Sequence, residues 1–194
     1  MKELRAHRAR SRLGHAIVRL GVSAAISLSS FDLAAQVVAT PEEIQAVYLQ
    51  KFVGYVDWPP GVFPTATAPI VVGISGSDRM FDLVSGVAAG KTVQARPIMV
   101  RRLVKPEDSD DVHLVFVGKE SWKDLPGWTA RSKEHPMVVA TDAPQGVDRG
   151  ATLGFVQTGQ RIRFEASVAA AEKAGVKLSA RLLAVADRVV GAGQ

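Results

Sequence analysis

The sequence predicts an α/β fold: a single three-layer domain with a mixed, mostly parallel sheet and a C-terminal hairpin followed by two helices. Three observations predict it. Short β-branched runs, "PIVVGI" (69–74), "VHLVFVG" (112–118) and "PMVVAT" (136–141), alternate with stretches of helical spacing. Parallel strands need a crossover between them, so this alternation is the mark of an α/β sheet. Near the end, "ATLGFVQTGQRIRFE" (151–165) reads as two strands joined at Thr158-Gly159, which turns the sheet antiparallel there. Finally, 194 residues of which 47% are hydrophobic and 22% charged suit one folded core rather than a disordered chain. No repeat or low-complexity linker divides residues 40–190.

The first 35 residues differ from the rest. They hold six basic residues (Lys2, Arg5, Arg8, Arg10, Arg12, Arg19) against Glu3 and Asp32, so they carry +4 of the net +5 and leave the body at +1. A near-neutral body has no strong pull on a phosphate backbone, and no nucleic-acid partner is expected. A basic start, the softer "LGVSAAISLSSF" and the small residues of "LAAQVVAT" have the form of an export signal cleaved after Ala35 or Ala39. A basic tail and a Ser-rich transit peptide are the alternatives. The apolar stretch is far shorter than the roughly 20 residues that span a bilayer. Cysteine is absent, which removes disulfides and thiolate metal sites and leaves the compartment open.

"TPEEIQAVYLQKFVGYVDWPP" (40–60) opens the body. Thr40 caps, Pro41 fits the first helical position and Glu43 completes a capping box. Ile44, Val47, Tyr48, Phe52, Tyr55 and Val56 make one apolar stripe, predicting a helix that runs on to Pro59-Pro60. Tyr55, Trp58 and Phe63 cluster where the chain turns. Strand 69–74 follows, then "SGSD" with Asp78 as the expected cap of a helix. "KTVQARPIMVRRL" (91–103) is one long strand or two short ones, and "PEDSDD" (106–111) a polar turn or short helix. Residues 120–134 are helical or irregular, with Pro126 near a helix start. After the hairpin, "SVAAAEKAG" is a helix stopped by Gly175, and "SARLLAVADRVV" (179–190) a second helix capped by Ser179.

Chemical motifs fail on inspection. "GVAAGKT" (86–92) resembles a phosphate-binding loop but is one residue short, and it follows a helix instead of a strand. Gly90 there reads as the left-handed residue that ends a helix. "EDSDD" (107–111) lacks the alternation, glycine and distant glutamate of a calcium loop. "VGKESW" is not a nucleophile elbow. His113 and His135 stand alone, without the spacing of a zinc site. Neither metal nor cofactor is expected, and the failed motifs lower the odds of catalysis without disproving it.

In order, the segments "YLQKFVGYVDWPP" (48–60), "PIVVGISG" (69–76), "GKTVQARPIMVRRL" (90–103), "VHLVFVGKES" (112–121) and "GFVQTGQRIRFEASVAAAEKAGVKLSARLLAVA" (154–186) resemble the YfiR family, also described as DUF4154. The resemblance implies a small exported periplasmic regulator rather than an enzyme. Such a protein binds the periplasmic part of an inner-membrane diguanylate cyclase and restrains cyclic-di-GMP synthesis, and with it biofilm formation. It implies relief by an OmpA-like outer-membrane lipoprotein, and a homodimer among relatives. It also accounts for "GVAAGKT", since the family carries Gly-Lys-x-Val at this joint. Some relatives have disulfides, which this chain cannot form, and Ala166 and Ser167 depart from the family's usual residues. The domain also occurs beside other receptors, so the fold fixes no partner.

The expected partner-binding residues are Arg161, Arg163, Phe164 and Glu165 at the hairpin exit, with Tyr55 and Trp58 at the end of the first helix. Each has a plain alternative: packing for the aromatics, outward alternation on a strand for the charged residues. A rival reading makes the protein a periplasmic solute-binding or sensory module. Its ligand would lie near Ser75 and Gly76, at the carboxyl end of the first strand, where open α/β sheets bind ligands.

Overall fold

Strand β2 (Ile70–Ser75) is buried at all six positions. A strand this apolar on both sides must be covered on both faces, which puts it at the centre of a layered sheet. The computed structural model describes residues 39–159 and 161–191. The leader, and cleavage after Ala35, lie outside these residues.

Helix α1 (Pro41–Phe52) starts with the expected capping box: Thr40 Oγ1 accepts from Glu43 N at 3.3 Å while Thr40 N donates to the Glu43 carboxylate at 2.7 Å. It does not reach Pro59. A single 3₁₀ turn, Val53–Tyr55, follows, and then β1 (Val56–Asp57). The apolar stripe continues past the helix because β1 pairs antiparallel with β9 (Lys177–Leu178), with Val56 opposite Leu178. Helix α2 (Asp78–Ala88) is capped by Ser77, whose hydroxyl accepts from Met80 N at 3.1 Å, and not by Asp78. Gly90 has φ +67°, the left-handed conformation expected at that helix end.

"KTVQARPIMVRRL" forms two strands, β3 (Thr92–Val93) and β4 (Arg96–Arg102), joined through Gln94 and Ala95, both at positive φ. Next come β5 (Leu114–Val117), α3 (Leu125–Arg131), β6 (Val138–Thr141), and the hairpin β7 (Leu153–Thr158) with β8 (Arg161–Ser167). Helix α4 (Val168–Lys173) ends at Gly175, with φ +69°. The predicted final helix is one turn, α5 (Ala180–Leu183), capped by Ser179. The rest of that stretch is instead β10 (Arg188–Val190), which pairs parallel with Glu165–Ser167. The open edge of β8 offers those residues a backbone ladder that a helix could not fill.

The main sheet has the order β10-β8-β7-β6-β5-β2-β4-β3. Its pairs from β4 through β7 are parallel, while β7–β8 and β3–β4 are antiparallel. The chain leaves β2 toward β4 and then returns to β5 on the other side. Crossovers of one hand that leave in opposite directions place their helices on opposite faces. Side-chain alternation follows. Ile70, Val72, Ile74, Leu114, Phe116, Val138 and Ala140 pack under α1 and α2, while Val71, Val115, Val117 and Val139 pack under Leu125 and Trp128 of α3. Each such fully buried apolar side chain contributes about 1.5–3 kcal/mol.

Candidate functional site

The outer surface of α1 keeps apolar side chains in the open. Val47 is 39% exposed and Tyr55, one turn past the helix, 41%. Across from them stands Val185, 63% exposed, just beyond α5. Between them runs a groove of about 320 Å³ lined by Tyr48, Phe52, Tyr55, Phe164, Leu182 and Val185, with Lys51 and Arg181 at its rim. A second depression of about 370 Å³ continues along α1 past Ile44 and Val47, sharing Tyr48 and Lys51.

Local chemistry makes the floor rigid. The Phe52 and Phe164 rings meet edge-on at 4.9 Å, and Tyr48 lies 5.7 Å from each. Such pairs contribute about 0.5–1.5 kcal/mol each beyond their buried area. The walls are tied together by backbone. Beside the β1–β9 ribbon, Ser179 N donates to Tyr55 O at 2.9 Å, and the Ser179 hydroxyl accepts from Leu182 N at 3.3 Å. These bonds anchor the backbone of Tyr55 on one side of the groove and the start of α5 on the other. Preformed apolar surface of this kind limits the ordering entropy that binding costs.

The sequence-predicted residues fall into separate places. Tyr55 is on the groove wall and Phe164, 2% exposed, is its floor. Arg161 and Arg163 alternate with the buried Ile162 and Phe164, so they face the other side of the sheet and are exposed. Glu165 shares that side and is taken up by Arg188, which donates from Nε and Nη2 to its two oxygens at 2.8 and 2.7 Å. Arg188 also holds Asp148 with two bonds, at 3.0 and 2.7 Å. Those bonds keep the Asp148 carboxyl below the usual carboxylate range, and the bonds to Glu165 first and Asp148 second raise the guanidinium. Trp58 stands at the amino-terminal edge of β5. There it packs edge-on against His113 at 5.5 Å and Phe63 at 6.2 Å, and Arg96 caps Phe63 from 3.8 Å. Its visible task is to clip the loop after Pro60 onto the sheet.

The rival site is a small, charged crevice. Ser75 is 3% exposed, and its carbonyl accepts from Gly118 N at 2.9 Å. Gly76 has φ +78°, and a Cβ there would stand 2.3 Å from Ser121 Oγ, so the loops after β2 and β5 meet closely at this point. A space of about 230 Å³ remains above them, with Glu42, Glu120 and Asp142 opposite Arg79 and Lys119. Asp142 accepts from Lys119 N at 2.6 Å, so this junction carries its own carboxylate on the amide where a ligand anion would sit. Burial raises the Asp142 pKa, and that hydrogen bond opposes the rise.

Sequence reasoning missed Val47, Lys51, Leu182 and Val185. The signal was present in part, as the stripe along α1. That α5 lines the same groove as this stripe is a tertiary fact. Among the described residues no helix is long and apolar enough to cross a membrane.

No curated protein sequence matches the chain. Among solved structures it is similar to a conserved domain protein from Vibrio cholerae O1 biovar El Tor, with a TM-score of 0.54 and 13% identity. The match covers 77% of this chain and 60% of that one, and it shows a shared fold. The family model DUF4154, described as YfiR/HmsC-like, matches residues 42–187, from the first turn of α1 to the residue before β10. That span takes in the residues lining the groove and strands β1 to β9, and the chain belongs to the YfiR/HmsC-like family.

Proposed function

We propose that the protein is exported by its basic leader and acts in the periplasm as a binding protein. Its α1–α5 groove docks on the periplasmic part of an inner-membrane diguanylate cyclase or related receptor and restrains cyclic-di-GMP synthesis. Membership of the YfiR/HmsC-like family supports a periplasmic regulatory role. The observation that carries the docking reading is the open apolar groove with its exposed Tyr55 and Val185. An aromatic residue beside an apolar pocket, with a polar rim, is the usual anatomy of an interface centre. Restraint follows if the groove binds the receptor's inactive state more tightly than its active one.

Tyr55 is the direct contact in this reading, with Phe164 beneath it. Arg161, Arg163 and Glu165 stand on the other face of the sheet and belong to a second contact, and Trp58 supports the fold at the edge of β5. The test is Val185→Glu in the full chain, which alters an exposed residue and leaves the melting temperature unchanged. It should abolish co-purification with the membrane receptor and raise cellular cyclic-di-GMP. Unchanged co-purification and an unchanged cyclic-di-GMP level would refute the reading. The rival, a solute sensor at Ser75 and Gly76, instead requires a small ligand that raises the melting temperature in a way lost on Lys119→Ala.

A further inference from the structure

A cavity of about 310 Å³ lies on the opposite side of the sheet from the groove, between the end of α3, the loop before β7 and the start of α4. Three cations line it: Lys133, Arg149 and Lys173. Among the described residues no carboxylate pairs with any of the three. The one acid in the lining, Asp148, accepts two bonds from Arg188, a cation it shares with Glu165, so that triad keeps one negative charge beside the three cations. Arg149 is held at the rim by Trp122, whose ring lies 4.9 Å beneath the guanidinium.

The floor supplies a donor of a different kind. Ser167 is 5% exposed, and its hydroxyl oxygen accepts from Ala170 N at 3.1 Å. Its own proton has no acceptor among the described residues and is free for a ligand. Ser132, 6% exposed, donates its proton to Thr129 O at 3.0 Å and leaves its oxygen as wall. Three unpaired cations converging on a recess raise the local concentration of anions more than the same charges scattered on a flat surface. A planar guanidinium and two ammonium groups, with a hydroxyl donor below, suit a tetrahedral polyanion.

We infer that this cavity binds a phosphate group through Lys133, Arg149, Lys173 and the Ser167 hydroxyl. The site stands apart from the docking groove and does not depend on that reading. The phosphate belongs either to a small free molecule or to a phospholipid headgroup.

The full-length chain is titrated with sodium phosphate against sodium chloride at matched ionic strength, and its melting temperature is followed. In a second arm it is sedimented with phosphatidylglycerol vesicles and with phosphatidylcholine vesicles. The comparison protein is Lys133→Ala/Lys173→Ala, whose exposed positions leave the unliganded melting temperature in place. Expected is a saturable, phosphate-specific rise that needs at least tenfold more phosphate in the double variant. Vesicle binding without a response to free phosphate, also lost in the double variant, assigns the phosphate to a lipid. A protein silent in both arms, or a response equal in the double variant and the parent, overturns the site.

Discussion

His113 should make the protein acid-labile, and its share of that lability can be worked out. Its backbone pairs with Val71 as a continuation of the β2–β5 ladder: His113 N donates to Val71 O at 2.9 Å, and Val71 N donates to His113 Nδ1 at 3.1 Å. The second bond requires a neutral ring. His113 is 6% exposed, with Phe63 stacked on it at 4.6 Å. Burial, with Arg96 and His135 nearby, lowers its pKa to about 4 against the partial opposition of Asp111. In the unfolded chain the same ring titrates near 6.5. Below that value the unfolded state binds a proton that the folded state refuses, so stability is full above about pH 6.5 and drains as pH falls toward 4. Linkage puts the loss at about 2 kcal/mol by pH 5 and about 3 kcal/mol by pH 4.

The assay is urea unfolding of parent and His113→Asn between pH 7 and pH 4. Asparagine keeps an acceptor close to the place of Nδ1 but does not titrate. His135, also lowered by burial and by Arg131, adds a slope of the same sign in both proteins and cancels in the difference. The difference between the two proteins should shift by about 2 kcal/mol from pH 7 to pH 5. Parallel pH profiles would refute the reasoning.

Three further outcomes are expected. Phe164→Ala opens the floor of the groove between Phe52 and Tyr48 and should cost about 3–5 kcal/mol in denaturant unfolding; a cost under about 1 kcal/mol would remove it from the core. Gly76→Ala combines a positive φ with a clash at Ser121 and should cost about 1–3 kcal/mol. Adding Ser121→Gly should restore the steric part and leave the backbone part, as read by a double-mutant cycle. A fusion of residues 1–39 to a reporter active only outside the cytosol should give signal, and a silent, cytosol-retained reporter would defeat the proposed compartment.

The residues themselves announced much of this protein. Layer order, the central strands and the hairpin were legible because burial on both faces demands apolar runs, as at positions 70–74, and these differ from the alternation of Arg161–Ser167. Caps at Thr40 and Ser179 and the stops at Gly90 and Gly175 were legible because they act within one turn. Family resemblance was carried by the order of these pieces. Tertiary structure decided what depended on a distant partner strand. Val56 left its helical stripe to pair with Leu178, and Arg188–Val190 left theirs to pair with β8, because a ladder supplied from elsewhere outweighs a weak local preference. The β3–β4 turn at Gln94-Ala95 carries no glycine or asparagine to mark it. The grouping of the candidate residues was likewise invisible, since neighbours along a strand point to opposite faces. Phe164 and Glu165 are adjacent in sequence, yet one floors the groove and the other is bound to Arg188 on the far side of the sheet.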